Sequence, residues 1–132
     1  HPGGNIGKDL VKLNEVMHTK SELPLVYEND LMSKALIIMT KKSFGCVGVI
    51  NKKKCLVGII TDGDLRRNMN SKLIKKKSSE VMTLKPALVT EDTLVGEALN
   101  IMNSKKITSL FVCKNTKPIG IVHIHDLLRI SS

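Results

Sequence analysis

Aromatic residues are almost absent from this 132-residue chain, which has Tyr27, Phe44 and Phe111 and no tryptophan. A core must then be built from Ile, Leu, Val and Met, and functions that need a series of aromatic stacking platforms are disfavoured. Long apolar runs are missing as well. The longest, such as Leu56 to Ile60, fall far short of the ~18 residues that cross a bilayer, which excludes a membrane-spanning helix. Cysteine is sparse, and Cys46, Cys55 and Cys113 stand far apart, each in or beside an apolar run. An odd number at that spacing argues against a disulfide framework or a paired-cysteine metal site. They read as buried or half-buried thiols in a reducing cytoplasm. The chain also has no Gly-x-Ser-x-Gly elbow, no Gly-rich phosphate loop ending in Lys-Ser/Thr and no reactive-cysteine setting, so the fragment itself is not expected to be an enzyme. His1-Pro2-Gly3-Gly4 carries neither an initiator methionine nor a signal pattern, and the expectation is a piece of a longer protein.

Positive charge is plentiful. Twenty-one basic residues stand against 12 acidic ones, a net charge of +9, and all but three of the basic residues are Lys. Such a chain attracts nucleic acid or acidic small molecules through its field. The lysines, however, cluster at Lys41-Lys42, Lys52 to Lys54, Lys75 to Lys77 and Lys105-Lys106, between apolar segments. That placement reads as solvated turns and helix ends, and with no reader helix the expected partners do not include nucleic acid or membrane.

An internal repeat organises the rest. Val16-Met17 reappears as Val81-Met82, Leu25-Val26 as Leu88-Val89, and Ala35 to Met39 as Ala98 to Met102. Gly58 to Arg67 then reappears as Gly120 to Arg129, the offset drifting only from 65 to 62 residues. In each copy a short strand is followed by an amphipathic helix, with Asn29-Asp30 as candidate caps in the first. Two β-branched-rich strands joined by a polar turn follow, and then a second helix opened by Thr61 or its equivalent. The expected class is α/β (α+β): two β-α-β-β-α repeats packed as a pseudo-twofold pair, sheet to sheet, with clefts near the second-helix N-termini. The expected boundaries are 1–17 for a leading tail and linker helix carrying Ile6, Leu10, Leu13 and Met17, 18–71 for the first repeat, 72–80 for a Lys-rich linker and 81–132 for the second repeat.

The stretch Gly58-Ile59-Ile60-Thr61-Asp62-Gly63-Asp64 carries the densest chemistry. A strand glycine allows close backbone approach, Thr61 stands where a helix begins, and first-turn amides receive phosphate. Asp64 would then accept from sugar hydroxyls, because a carboxylate repels phosphate but suits a ribose diol. Thr61-x-x-Asp64 is equally a capping box that binds nothing, and the residues alone leave both readings open. The second copy keeps the acid as Asp126 and replaces the hydroxyl by His123. His123-x-His125-Asp126 has two imidazoles at strand spacing, but no further ligand is evident and no metal is expected. His123 reads better as a partner for an acidic ligand.

These residues resemble a known family. Gly-x-x-Thr-x-x-Asp closing the first repeat is similar to the tandem cystathionine-β-synthase (CBS) module, a regulatory pair that commonly binds nucleotides. Thr61 to Arg67, Met17-His18-Thr19, Ile107-Thr108-Ser109 and His123 to Arg129 together resemble the C-terminal part of bacterial D-arabinose 5-phosphate isomerases. The resemblance implies a parent enzyme whose sugar-isomerase (SIS) domain, in the same chain, interconverts ribulose 5-phosphate and arabinose 5-phosphate for 3-deoxy-D-manno-octulosonate (Kdo) and lipopolysaccharide synthesis. It implies that His1 belongs to that domain's catalytic set. It also implies a cytoplasmic, homo-oligomeric regulatory module with no required cofactor, sensing a nucleotide or a nucleotide-sugar such as CMP-Kdo. Thr61 and Asp64 would meet the nucleotide, His123, His125, Arg66 and Arg67 the acidic groups, and Thr108 and Ser109 a base or phosphate, with Asp62 and Asp126 also in the ligand-binding set. A purely structural oligomerisation module remains the alternative.

Overall fold

The computed structural model, which describes residues 10–131, places strands where the β-branched runs predict them and helices where the apolar spacing does. Within Glu22–Pro86, the first repeat forms β1 (Leu25–Tyr27), α1 (Met32–Lys42), β2 (Cys46–Ile50), β3 (Leu56–Thr61) and α2 (Asp62–Arg67). β1 runs parallel to β2, with Val26 beside Val49, and β2 runs antiparallel to β3, with Cys46 beside Thr61 and Ile50 beside Leu56. A parallel neighbour needs a crossover, and α1 supplies it.

Helix α1 buries Met32 and Ala35 and packs Ile38 and Met39 against Val26, Val47, Val49 and Ile60. This is the i, i+3, i+6/7 stripe that an amphipathic helix turns toward a sheet. Lys41 and Lys42 fall in its last turn, where cations complement the exposed carbonyls. The cap is not as predicted. Leu31 occupies the N-cap position without a side-chain bond. Asp30 instead accepts the Tyr27 amide at 2.8 Å and an ion pair from Lys34 at 3.5 Å, holding the turn between β1 and α1.

The second repeat follows the same plan with β5 (Leu88–Val89), α4 (Val95–Lys105), β6 (Ser109–Lys114), β7 (Lys117–His123) and α5 (Ile124–Ser131). β5 pairs parallel to β6, and β6 antiparallel to β7. Val89, Val95, Ala98, Met102, Leu110, Val112, Val122 and Leu127 form its core. The protein is thus an α+β chain with two small sheets.

The packing units do not follow the repeat boundaries. The stretch 72–80, expected as a linker, is a structural part of Glu22–Pro86: Leu73 and Val81 enter its core, and α3 (Ser78–Val81) leads into β4 (Thr83–Leu84), which pairs with β3. Main-chain bonds from the Ser78 amide to the Asp30 carbonyl and from Ser79 to Glu28 fasten this segment. Apolar Leu73 and Val81 would otherwise stay wet, so a solvated linker loses to burial.

The segment before the first repeat behaves alike. The expected linker helix is, over its described part, a single 3-10 turn at Leu13–Glu15 entered from extended backbone at Lys12; residues 1–9, with His1 and Ile6, lie outside the described residues. Leu13 is fully buried in the core of the unit formed with residues 87–131. Its amide donates to the Thr93 carbonyl, and His18 exchanges both main-chain bonds with Ile121. Burying one leucine contributes about 1.5–3 kcal/mol, which outweighs the weak propensity of a short helix.

Candidate functional site

Each unit places one carboxylate at the start of its last repeat helix. Two glycines explain how the surroundings are set. Gly58 on β3 faces Met82, and a methyl group added there would lie 2.5 Å from the methionine sulfur. Gly120 on β7 faces Met17 in the same way. The close approach expected at the Gly58 backbone is made by the Met82 side chain. The next residue is thereby brought beside the acid: Thr83 pairs with Ile59, and His18 with Ile121.

Asp64 is 3% exposed and accepts four hydrogen bonds. The Thr61 amide donates to Oδ2 at 2.9 Å and the Thr61 hydroxyl to the same oxygen at 3.2 Å. Arg67 donates to Oδ1 at 2.6 Å and the Thr83 hydroxyl at 2.5 Å. Burial alone would push this carboxyl up, but the Thr83, Thr61 and Arg67 donors outweigh it and hold it below the ordinary carboxylate range. The capping-box geometry is therefore present, and the carboxylate is saturated from within the chain. A sugar hydroxyl reaches Asp64 only by displacing one of these donors.

The equivalent centre uses different chemistry. Asp126 receives His18 Nε2 at 2.9 Å on Oδ2 and Arg129 on Oδ1. Its side chain is 24% exposed, against 4% for Asp64, so it is the more open of the two. Burial pushes its carboxyl up, and the His18 bond followed by the charges of His18 and Arg129 brings it below the usual value. His123 stands where Thr61 stands in the first copy. Its Nδ1 accepts the His125 amide at 3.1 Å, and the two rings stack with centroids 4.8 Å apart. An accepting Nδ1 means a neutral ring. Burial, then the neighbouring His125, push the His123 pKa down, against a smaller upward pull from Asp126.

Of the candidate residues, Thr61, Asp64 and Arg67 converge on one carboxylate, while Asp62 and Arg66 are exposed on the same short helix without a side-chain partner among the described residues. In the other unit, Ser109 is buried in register with His123, Thr108 is exposed with its carbonyl accepting the Ile124 amide, and His125 is exposed. Thr83 and His18 were not among the candidates. Extending the repeat by one residue past Met17 and Met82 would have found them. Among the described residues no group of three or more His, Cys, Asp or Glu is arranged to hold a metal ion, and no helix is long and apolar enough to cross a membrane.

The family model for the CBS domain matches residues 13–71 and 79–132. Among curated proteins, one from Rickettsia prowazekii without an assigned function is 45% identical over 97% of this chain. The arabinose 5-phosphate isomerase KdsD of Yersinia pestis is 39% identical over 98% of it. The chain spans about 40% of the length of each of these relatives. Among solved structures, the CBS domain of a CBS-domain-containing membrane protein from Sphaerobacter thermophilus aligns with a TM-score of 0.79 at 24% identity, covering 97% of this chain and 92% of that one. CBSX2 in complex with AMP aligns with a TM-score of 0.76 at 25% identity, covering 89% and 93%.

Proposed function

The chain belongs to the CBS domain family as a tandem pair, and from that premise we propose that it is the ligand-sensing regulatory module of a cytoplasmic D-arabinose 5-phosphate isomerase, binding a nucleotide or a nucleotide-sugar such as CMP-Kdo. The isomerisation itself, ribulose 5-phosphate to arabinose 5-phosphate for Kdo and lipopolysaccharide synthesis, belongs to an SIS domain elsewhere in the parent chain, with His1 among its catalytic residues. Supporting the parent identity is the name of the 39%-identical relative, and supporting a nucleotide ligand is the AMP bound by CBSX2.

One observation carries the choice of ligand class. Equivalent carboxylates have hydroxyl partners in one unit, Thr61 and Thr83 around Asp64, and imidazole partners in the other, His18 and His123 near Asp126. Hydroxyls and a carboxylate suit a ribose and its phosphate, whereas imidazoles with Arg129 suit an acidic group. Taken by itself, the hydroxyl-lined centre suits a nucleotide, with Thr61, Asp62, Asp64, Arg66 and Arg67 as its ligand-facing set. Taken by itself, the imidazole-lined centre suits an acidic sugar, with Thr108, Ser109, His123, His125 and Asp126 as its set.

Calorimetric titration with CMP-Kdo, CMP, AMP and ATP tests the reading. CMP-Kdo is expected to bind at about micromolar Kd and at least tenfold tighter than CMP, roughly 1.4 kcal/mol of extra affinity from the sugar acid. Equal or tighter binding of AMP or ATP overturns the nucleotide-sugar and makes the module an adenine-nucleotide sensor. Binding of none of the four overturns sensing altogether. The saturation of Asp64 favours a second reading, a structural homo-oligomerisation module in which Thr61 and Asp64 act only as caps. Ile37 and Met69, 66% and 69% exposed, are apolar groups that such an assembly covers. Asp64→Ala with Asp126→Ala separates the two: a sensor loses its ligand response, while an assembly module loses about 0.5–2 kcal/mol of stability per cap and has no response to lose.

A further inference from the structure

At the end of the sheet remote from Thr61, the carboxyl ends of the parallel strands β1 and β2 open onto a pocket of about 380 Å³ that the reading above does not use. Because β2 runs antiparallel to β3, Cys46 lies beside Thr61 while Ile50 lies at the other end beside Leu56. The pocket is therefore separate from the Asp64 centre within the same unit.

Its walls are held from behind. On the β1 side, the Tyr27 amide donates to Asp30, and the carbonyls of Glu28 and Asp30 take the Ser79 and Ser78 amides. On the β2 side, the Asn51 carboxamide oxygen accepts the Lys53 and Cys55 amides, both at 3.0 Å, closing an Asx turn that fixes the Lys52-Lys53 tip. These backbone groups and the Asn51 side chain are thus spoken for, while four other side chains that line the cavity are not. The Tyr27 hydroxyl, the Glu28 carboxylate and the Lys52 and Lys53 ammonium groups have no hydrogen-bond or ion-pair partner among the described residues. Tyr27 is 43% exposed, and buried Ile50 supplies an apolar floor.

The surrounding field adds an independent argument. Residues 22–86 hold thirteen Lys and Arg against six Asp and Glu, so this unit carries +7 of the chain's +9. A concave patch on such a unit concentrates anions.

We propose that this pocket binds a small organic anion, a phosphate or carboxylate attached to a planar or hydroxylated ring. The anionic end lies on Lys52 and Lys53, the ring lies against Tyr27 and Ile50, and hydroxyls on the far side donate to Glu28, which turns a bare dianion away from that wall. A volume of a few hundred Å³ suits one such molecule.

Amide-resolved NMR of the 132-residue chain, titrated separately with phenyl phosphate, inorganic phosphate and phenol, tests the site. Phenyl phosphate is expected to shift the amides at 27–29 and 50–53 in a saturable way, at least about tenfold tighter than either half-molecule. Lys52→Ala with Lys53→Ala, two exposed turn positions whose side chains bond nothing among the described residues, is expected to weaken it about tenfold by removing the charge-assisted contacts. Absent or non-saturating shifts, shifts confined to the Asp64 or Asp126 neighbourhoods, or unchanged affinity in the double variant overturn the site. Inorganic phosphate binding as tightly as phenyl phosphate overturns the role of Tyr27 and the ring. None of these outcomes depends on whether CMP-Kdo or AMP binds the chain.

Discussion

Replacing Gly58 by alanine probes the way the two repeats exchange segments. The added methyl would stand 2.5 Å from the Met82 sulfur, 2.8 Å from its Cγ and 3.0 Å from its Cβ. The sulfur can swing aside, but Cβ is tied to the backbone of β4's lead-in, so the segment itself must move. Overpacking of this kind costs about 1–3 kcal/mol. Against it stands the gain from removing a strand glycine, roughly 0.5–1 kcal/mol. The net expectation is a loss of about 1–2 kcal/mol, or roughly 4–8 °C in Tm for a chain of this size. Urea denaturation followed by circular dichroism measures it, with Met82→Ala and the double variant completing a cycle. Met82→Ala removes the obstacle, so the double variant should be more stable than the two separate losses predict, by about 0.5–2 kcal/mol. Strict additivity would refute the contact between Gly58 and Met82, and with it the packing of 78–84 onto the first repeat. A Gly58→Ala chain of unchanged stability that loses nucleotide binding would restore the reading in which this glycine admits a ligand.

Three further outcomes follow from the same geometry. Leu13→Ala, which empties a fully buried position, should destabilise by about 2–5 kcal/mol and should raise amide exchange in β6 and β7 before β2 and β3, although Leu13 precedes the first repeat. Asp64, held below its ordinary pKa of 3.8 in the folded chain, contributes stability that is present above about pH 5 and lost as pH falls through about 4 and below; Asp64→Asn should flatten that acid limb of a pH–stability curve, and an unchanged limb would show that its donors do not favour the charged form. Cys113, whose thiol burial pushes up to about 11, has about one thiolate per thousand at pH 8, so iodoacetamide at that pH should modify half-buried Cys55 well before it, and the reverse order by peptide mass mapping would contradict the burial.

Much of the site was legible because helix starts have a local grammar. Thr61-x-x-Asp64 announces its own geometry, as an N-cap hydroxyl and an N3 acid meet within one turn wherever they occur. Asp126 and Arg129 follow by the repeat and by i, i+3 spacing. Thr83 and His18 are signalled only by the repeat, as the residues after Met82 and Met17; their contacts were not legible, because Thr83 lies 19 residues from Asp64 and His18 108 from Asp126. Gly58 was legible only in part: a strand glycine signals close approach, but not by what.

By itself the sequence determined the elements within each repeat, their order and the twofold repetition, since apolar periodicity and turn chemistry act over a few residues. It also determined that the two carboxylate centres differ, through Thr61 against His123. Only the tertiary structure decided which segment completes which sheet. Residues 11–18 join the second repeat and 73–84 join the first, so the units cut the chain where no compositional break exists. The physical reason is that a short leading segment with one or two buried apolar residues has no stable structure alone, and its place is set by the sheet edge and glycine gap that can take its methionine.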